Sequence, residues 1–263
     1  LLLAQAPIIA TLICLIYSEI NSGVLFMVAI SAIWLGAQNA AREIVSEQAI
    51  YKRERMFNLK ILPYIFSKIS VLSFFSIIQS AIFILILSIY YNSSDKIVDI
   101  NRPFVLFLWM IFLSISSTFL GLLLSSIVRT SERAMTILPL ILLPQIMLAG
   151  VISKISSKAV EFISYFTLSR WGVEGFHIIQ KNITYQGFET QNNNSILPKS
   201  VPVKVDAIDN LLNRFHPSYS NKEIFNSFTA TLSLDSIVVL IMVVVMILLI
   251  FKSLKNKDSL TIN

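Results

Sequence analysis

The sequence predicts an all-α polytopic membrane protein with six transmembrane helices. Hydrophobic residues make up 55% of the 263 residues and charged residues only 14%, and the mean hydropathy is +0.74. A soluble domain of this size needs more polar surface to cover its core. Several apolar runs also approach the roughly 20 residues that a helix needs to cross the hydrocarbon core of a membrane. These observations exclude an ordinary soluble globular domain.

Six apolar runs divide the chain, which is treated as one transmembrane domain over residues 1–263. The predicted spans are about 1–17, 23–41, 64–91, 103–128, 134–152 and 234–251. The first run is slightly short and opens on three leucines, which predicts a span cut inside a hydrophobic helix and a further segment upstream of it. The third run is long enough to tilt or to project beyond the bilayer.

Two long polar segments lie between the spans. Residues 42–60 are rich in charge and are predicted to form a connecting helix. In the second segment, 153–233, residues 153–180 mix aromatic and charged side chains, which predicts short helices lying at the membrane surface. Residues 181–230 have the composition of a long polar loop.

Basic residues of the short loops fall on one side of the predicted spans. They occupy the connecting segment, the turn with Arg129 and Arg133, and the tail after the last span. Since loops with an excess of Lys and Arg stay in the cytoplasm, both ends of the six-span unit are predicted to be cytoplasmic and segment 153–233 to face outward. The net charge of +6 is dispersed rather than gathered in one stripe, which argues against a nucleic-acid partner.

Residues that could carry out chemistry are scarce in this sequence. There is no phosphate-binding Gly-rich loop ending in Lys-Ser or Lys-Thr, and no nucleophile elbow. The single cysteine, Cys14, lies in an apolar run and cannot form an intrachain disulfide, and the histidines lack the spacing of metal ligands. We therefore predict no catalytic residue, no metal site and no cofactor in this span. An intramembrane lipid-modifying enzyme, using His177 and Glu174, and a scaffold or receptor remain as alternatives.

The charged connecting segment 42–60 is the most informative part of the sequence. If it continues as one helix, steps of 100° per residue gather its acidic and basic side chains on separate faces. The acidic face holds Glu43, Glu47 and Glu54, and the basic face holds Arg42, Arg53 and Lys60. This separation suits ion pairing with another protein element, although a solvated, salt-bridged helix has the same pattern.

Polar residues inside the predicted spans have two explanations. Lys68 lies less than two turns into the third span, where it can extend to the cytoplasmic interface or pair with Glu47 or Glu54. Hydrogen bonding between helices explains the remaining polar groups without a substrate. These are Gln5, Gln38, Asn39, Gln79 and Gln145. Asp235, at the edge of the last span, is predicted to be interfacial.

Several motifs follow one another in an order that resembles a known family. They are Gly23–Phe26, Glu47 followed by Tyr51–Arg55, Tyr64–Lys68, Pro144–Ile152 and Ser169–Gly172. Their order and spacing resemble the membrane domain of the G-subfamily (white/PDR-like) ABC transporters, within the ABC type-2 exporter superfamily. The resemblance covers nearly the whole chain. The lone cysteine departs from animal members, which often carry disulfides in the last outward loop, and favours a bacterial inner (plasma) membrane protein.

The resemblance implies a half-transporter that works as a dimer. Its partners would be a second copy of itself or a related half-transporter, a nucleotide-binding domain upstream on the same chain, and membrane lipid. ATP and Mg would bind in the nucleotide-binding domain, and ATP hydrolysis there would drive alternating access. The cargo would be a hydrophobic or amphipathic, lipid- or drug-like substrate. A stand-alone permease with a separate ATPase subunit is the alternative.

The resemblance also assigns roles to particular residues. Coupling to the nucleotide-binding domain would use Glu43, Glu47, Arg53, Glu54, Lys68, Arg129 and Arg133, on a rigid helix continuous with the second and third spans. The substrate path would use Met27, Ser31, Trp34, Leu143 and Ile146. Val151 and Ile152 would form the outer hydrophobic valve. Outward re-entrant helices would follow the fifth span.

Overall fold

The computed structural model describes residues 2–57, 59–93, 96–152, 155, 157–188, 200–212 and 232–262. The long helices are α1 (Leu2–Ile16), α2 (Ser22–Ala40), α5 (Ile61–Tyr91), α6 (Pro103–Ile127), α7 (Ser131–Leu148) and α11 (Leu232–Ile262). The shorter helices are α3 (Glu43–Ser46), α4 (Gln48–Met56), α8 (Lys158–Ser164), α9 (Leu168–Gln180) and α10 (Ala207–Leu212). Strands β1 (Asn182–Phe188) and β2 (Ser200–Asp206) form an antiparallel hairpin. The predicted outward segment 153–233 lies only partly within the described residues.

Five helical stretches in the described part of the chain are long and apolar enough to cross a membrane. They are Ser22–Ser46, Ile61–Tyr91, Pro103–Ile127, Ser131–Leu148 and Leu232–Lys257. The sixth predicted span corresponds to α1, a shorter apolar helix of 15 residues. At 1.5 Å per residue, the 31-residue α5 is about 46 Å long, which exceeds the roughly 30 Å hydrocarbon core. The predicted all-α polytopic membrane fold is confirmed.

Helices α2 and α6 form the centre of the bundle because small residues let their backbones approach closely. A Cβ added at Gly36 would lie 2.1 Å from the Ser114 carbonyl oxygen, and one at Gly121 would lie 2.3 Å from the Ala37 carbonyl oxygen. Both distances are far below van der Waals contact, so glycine is required on each helix. Membrane helices have no hydrophobic driving force for association within lipid, so they commonly associate by packing closely through small residues.

The bundle has two ends that differ in composition. One end, which we name the "basic end", holds the segment between α2 and α5 (residues 41–57 and 59–60, named the "elbow"), the α6–α7 turn (128–133) and the tail of α11 (252–257). The other, which we name the "hairpin end", holds residues 17–21, 92–93, 96–102, 181–188 and 200–212. At the hairpin end the backbone N–H of Thr184 donates to the Ile20 carbonyl over 2.6 Å, which joins β1 to the α1–α2 turn. The hairpin was not predicted, since residues 181–230 were interpreted as a polar loop.

The connecting helix predicted over 42–60 is two short helices in the structure. The chain turns after α2, forms α3, and leaves helical geometry at Glu47, where φ is −100° and ψ is 11°. It then forms α4, which ends in a second turn at Phe57. The expected single rigid helix, continuous with the second and third spans, is therefore wrong, and the two breaks make this segment an elbow.

Helix α9 corrects a second expectation. Residues 153–180 were predicted to lie at the membrane surface, but every residue of α9 except Ile178 is buried. The helix packs against α2, α6 and α11. Its glycines fit this position, because a Cβ at Gly172 would lie 2.6 Å from the Leu113 side chain and one at Gly175 would lie 2.3 Å from the Trp109 ring. Trp109 also donates its indole N–H to the Gly172 carbonyl over 3.0 Å.

Candidate coupling site and substrate path

The elbow is fixed to α6 by a single hydroxyl group. The backbone N–H groups of Ile44 and Val45 both donate to Ser125 Oγ, each over 3.0 Å. The first N–H groups of a helix lack partners within that helix, and Arg42, the residue before α3, provides no side-chain cap. Ser125, which is fully buried, therefore supplies from α6 the cap that the local sequence does not contain.

Lys68 fixes the elbow to α5. Its Nζ lies 2.5 Å from Glu47 Oε2 and 3.3 Å from Glu43 Oε2. The lysine side chain is only 17% exposed, and the two glutamates are 37% and 41% exposed. Because more than a third of each glutamate side chain is exposed, water screens the ion pairs, and the cluster restrains geometry more than it adds stability. The Glu54 side chain is exposed and forms no ion pair with Lys68, because the break at Glu47 turns α4 away from α3.

Aromatic packing holds α4 against the start of α5. The Tyr51 and Tyr64 rings lie 4.9 Å apart between centroids, with their planes at 45°. Both rings are buried or nearly so. Arg55 donates to the Leu59 carbonyl and so closes the second turn of the elbow. Arg53 and Glu54 of α4 are exposed.

The α6–α7 turn lies beside the elbow at the basic end. Arg129 and Arg133 are both exposed. The tail of α11 reaches the same place, where Ser253 Oγ donates to the Ser126 carbonyl over 3.0 Å and Lys257 Nζ donates to the Val128 carbonyl over 3.2 Å. The structure thus brings the predicted coupling residues to one end of the bundle, although only Glu43, Glu47 and Lys68 contact one another.

The predicted path residues of α2 divide between two environments. The exposed side of α2 is a narrow stripe that follows Met27, Ile30, Trp34 and Gln38. Met27 is 37% exposed, whereas Ser31 is buried and donates its hydroxyl to the Met27 carbonyl over 2.6 Å. Since the rest of α2 is largely buried, this stripe is the surface through which α2 can contact another molecule.

Helix α7 shows a broad exposed face. Its buried side is limited to Ala134, Leu138, Leu142 and Gln145. Leu143 is 53% exposed and Ile146 is half-buried. The helix continues through both of its prolines.

The two predicted valve residues follow α7 and differ in exposure. The Val151 side chain is buried, and the Ile152 side chain is 62% exposed. Within one chain, therefore, the two side chains do not form a common surface.

A second set of functional candidates lies at α9 and was not predicted from the sequence as a cluster. Arg170 Nη1 lies 2.9 Å from Glu174 Oε2, and both side chains are fully buried. Asp235 of α11, at the edge of the last span, is also fully buried within the protein. Burial raises the pKa of the Glu174 carboxyl, and the Arg170 guanidinium opposes this shift. The i, i+4 spacing of Arg170 and Glu174 is the signal in the sequence from which this pair could have been predicted.

The buried histidine of α9 has a structural role. His177 Nδ1 lies 2.8 Å from the Val173 carbonyl oxygen, and Nε2 lies 3.2 Å from Ser22 Oγ. Ser22 Oγ also lies 3.1 Å from Asn210 Oδ1. This chain of polar contacts links α9 to the start of α2 and to α10, as the interpretation of His177 as a satisfied histidine implies.

Comparison with known proteins gives two matches. The sequence profile of ABC-2 type transporters matches residues 2–181. The chain is also 26% identical over 152 residues to "ABC transporter ATP-binding/permease protein Rv1747" of Mycobacterium tuberculosis (strain ATCC 25618 / H37Rv). That alignment covers 57% of this chain and 18% of the relative's length.

Proposed function

Since the chain belongs to the ABC-2 type transporter family, we propose that it is the membrane-spanning permease part of an ATP-driven exporter that acts as a dimer. The exposed stripe of α2 is the observation that supports the dimer, because α2 is otherwise surrounded by protein and leaves only this narrow face uncovered. A second copy of the chain, or a related half-transporter, covers that face. The cargo is a hydrophobic or amphipathic molecule that moves between the two copies by alternating access.

The basic end is the side that meets the ATPase. Exposed charges lie there on two elements: Arg53 and Glu54 on α4, and Arg129 and Arg133 at the α6–α7 turn. Their exposure leaves them available to pair with another protein. We place this end in the cytoplasm of a bacterial cell, as the distribution of Lys and Arg in the short loops implies. ATP and Mg bind in the nucleotide-binding domain.

Coupling runs from the ATPase through the elbow into the bundle. A push on α4 reaches α5 through the Tyr51–Tyr64 packing and through Lys68. The same push reaches α6 through the Ser125 cap on α3. Because α6 is fixed to α2 by backbone contact at Gly36, a movement of the elbow is transmitted to the helix that carries the path residues. Transmission of this kind requires an element with two discrete arrangements, and the two breaks of the elbow supply its hinges.

The lining of the proposed path is apolar and aromatic. Met27 and Trp34 from α2 face the partner copy together with Leu143 and Ile146 from α7, with Ser31 behind them. A lining of this type suits an apolar ligand fixed by few polar groups. Val151 and Ile152 lie beyond it toward the hairpin end, where they close the path.

A fused ATPase and a separate ATPase subunit are both compatible with a permease of this family. The relative with 26% identity is named as a combined ATP-binding/permease protein, which favours the fused arrangement. The full-length chain mass and the presence of a phosphate-binding loop upstream of Leu1 distinguish the two cases.

Cross-linking between copies tests the dimer and the path together. Met27→Cys in the full-length protein, reconstituted in lipid vesicles, is expected to give a covalent dimer with a short thiol cross-linker. Phe74→Cys is the matched control, since Phe74 is 61% exposed and belongs to α5 instead of α2. Vanadate-sensitive ATP hydrolysis is measured in the same vesicles. The dimer is contradicted if the Phe74→Cys variant forms a covalent dimer and the Met27→Cys variant does not. The exporter is contradicted if the full-length protein, with any partner subunit present, has no ATPase activity.

A further inference from the structure

A cleft lies between α1 and α5 near the hairpin end of the bundle. Its volume is about 540 Å³, which is within the range of sites that bind small ligands. Each helix lines the cleft with three side chains at i, i+3 and i+4, the spacing that places them on one helical face. They are Thr11, Cys14 and Leu15 of α1 and Ile86, Ile89 and Tyr90 of α5. The walls of the cleft are therefore mainly apolar.

The cleft suits an acyl chain better than it suits water. Leu15 and Ile89, two of its apolar lining residues, are 76% and 71% exposed on the surface of the bundle. Both belong to apolar helices, and α5 is long and apolar enough to cross a membrane. The Thr11 hydroxyl already donates to the Pro7 carbonyl over 2.7 Å, so the walls offer water few polar partners. Since apolar surface is most stable when removed from water, the hydrocarbon tail of a lipid is the occupant that these walls favour.

Lys96 places a positive charge in the lining of the same cleft. Its Nζ donates to the Ser18 carbonyl over 2.7 Å and lies 4.6 Å from the centre of the Tyr90 ring. Both partners are uncharged, so the ammonium group keeps its net charge, and these contacts use one of its three N–H donors. Among the described residues no carboxylate forms an ion pair with Lys96. Glu19, on the adjacent α1–α2 turn, accepts the Ile97 backbone N–H over 3.2 Å instead.

Three tyrosines place the Lys96 end of the cleft at the boundary between membrane and water. Tyr17 follows α1, and Tyr90 and Tyr91 are the last residues of α5. The Tyr91 hydroxyl donates to the Tyr17 carbonyl over 2.9 Å, which joins the two helix ends. Tyrosine is enriched at the depth of the lipid headgroups, and a lysine near the end of a span extends its ammonium group to the same depth. The cleft thus runs from a cation among the headgroups into the hydrocarbon core.

We propose that this cleft binds one glycerophospholipid whose headgroup carries a net negative charge. The phosphate oxygens accept hydrogen bonds from the remaining N–H groups of Lys96 and from the hydroxyl of Ser93, which also lines the cleft. One acyl chain lies between α1 and α5. A zwitterionic lipid brings its own cation, which competes with Lys96 for the phosphate, and free phosphate makes no use of the apolar walls. Among the described residues none from α2 or α7 lines the cleft, so this inference does not depend on the cargo path proposed above.

Photolabelling of the full-length protein in lipid nanodiscs tests this site. The nanodiscs consist of phosphatidylcholine with a trace of phosphatidylglycerol that carries a diazirine in one acyl chain. We expect the label on peptides that cover residues 11–15 and 86–93, displaced by unlabelled phosphatidylglycerol and unaffected by inorganic phosphate. Lys96→Gln is expected to reduce labelling roughly fivefold, the loss expected for one basic residue at an anionic membrane surface, and Lys96→Arg is expected to retain it. Lys204→Gln is the matched control, since Lys204 is an exposed lysine at the same end that does not line the cleft.

Three results overturn the proposal. The first is equal labelling of the cleft by phosphatidylcholine that carries the same diazirine, and the second is unchanged labelling in Lys96→Gln. The third is absence of label from both peptides, which is the result expected if a protein segment or a second copy of the chain covers the cleft. Leu15→Trp fills the cleft without removing the cation and is also expected to reduce labelling. It decides the question if Lys96→Gln fails to assemble as judged by gel filtration, since unchanged labelling in Leu15→Trp contradicts an acyl chain between α1 and α5.

Discussion

Replacing Ser125 by alanine isolates the cap that joins the elbow to α6. The substitution removes one hydroxyl and leaves the buried N–H groups of Ile44 and Val45 without their acceptor. Loss of an N-terminal helix cap costs about 0.5–2 kcal/mol, and two buried donors place this case at the upper end, about 2 kcal/mol. Since 1.4 kcal/mol corresponds to a tenfold change in an equilibrium constant, α3 is expected to open roughly 30-fold more often.

Hydrogen–deuterium exchange of the full-length protein measures this opening. The peptide that covers α3 is expected to exchange roughly 30-fold faster in Ser125→Ala, because exchange follows the local opening equilibrium. Ser126→Ala is the matched control. Ser126 is equally buried, but its hydroxyl donates only to the Leu123 carbonyl within its own helix. Equal exchange of α3 in both variants, or unchanged exchange in Ser125→Ala, refutes the assignment of Ser125 as the cap.

Three further results are expected. Lys68→Met leaves two glutamates without their cation and is expected to lower the free energy of unfolding by about 1 kcal/mol. It is also expected to lower the amount of transport per ATP hydrolysed, with substitution of the exposed Lys60 by Met as the control. An unchanged ratio of transport to ATP hydrolysis contradicts the route through α5. Gly36→Ala forces α2 and α6 apart and is expected to cost about 1–3 kcal/mol, measured as a lower midpoint of thermal aggregation. Because burial raises the folded-state pKa of Glu174, the folded protein keeps a proton that the unfolded chain releases. The free energy of unfolding is therefore greatest at acid pH and declines as the pH rises toward the folded-state pKa. Glu174→Gln is expected to flatten this dependence, measured as the thermal midpoint against pH.

Helix positions were predictable where a recognisable N-cap residue precedes an apolar run. Helix α2 was expected at 23–41 and begins at Ser22, after Asn21, whose side chain accepts the Val24 N–H over 3.0 Å. Helix α7 begins after Thr130, which accepts the Arg133 N–H in the same way. The last helix extends past its predicted end at 251 to Ile262, because hydropathy marks where a span leaves the membrane and not where a helix stops.

Three of the five polar residues noted within the predicted spans form the expected hydrogen bonds between helices. The prediction fails for the other two, since Gln38 accepts the Trp34 indole N–H within α2 and Gln5 Oε1 accepts no hydrogen bond from the residues that the structure describes. Asn39 donates to Gln79 Oε1 over 3.0 Å, and Gln79 donates to the Leu2 carbonyl over 2.8 Å. Gln145 Oε1 accepts the Ser169 N–H over 3.1 Å, which ties α7 to α9. In each case a polar group with no aqueous alternative finds a partner on a neighbouring helix.

Features that depend on tertiary packing could not be predicted in the same way. The grouping of Glu43, Glu47 and Glu54 on one face assumed an unbroken helix, and the break at Glu47 separates the last of them from the others. Asp235 was assigned to the interface from its place at the end of an apolar run. Its burial within the protein could not be predicted, because that burial depends on α9 packing against α11 and on two glycines of α9 fitting against α6.

The family could be predicted from the sequence with more success than any single functional site. The order of weak motifs indicated an ABC type-2 membrane domain, and the match of the ABC-2 type transporter profile to residues 2–181 confirms it. The resemblance to the G-subfamily, the path residues and the valve remain predictions. They depend on a second copy of the chain and on an ATPase, and neither can be located by packing within one chain.

The orientation of the elbow is the point on which the coupling account depends, and labelling with a membrane-impermeant maleimide tests it most directly. Intact cells expressing the full-length protein carry either Arg53→Cys on the elbow or Asp99→Cys near the hairpin end, both at exposed positions. We expect Asp99→Cys to react in intact cells and Arg53→Cys to react only after the membrane is permeabilised. Labelling of Arg53→Cys from outside intact cells would place the elbow beyond the reach of an intracellular ATPase and contradict the proposed mechanism.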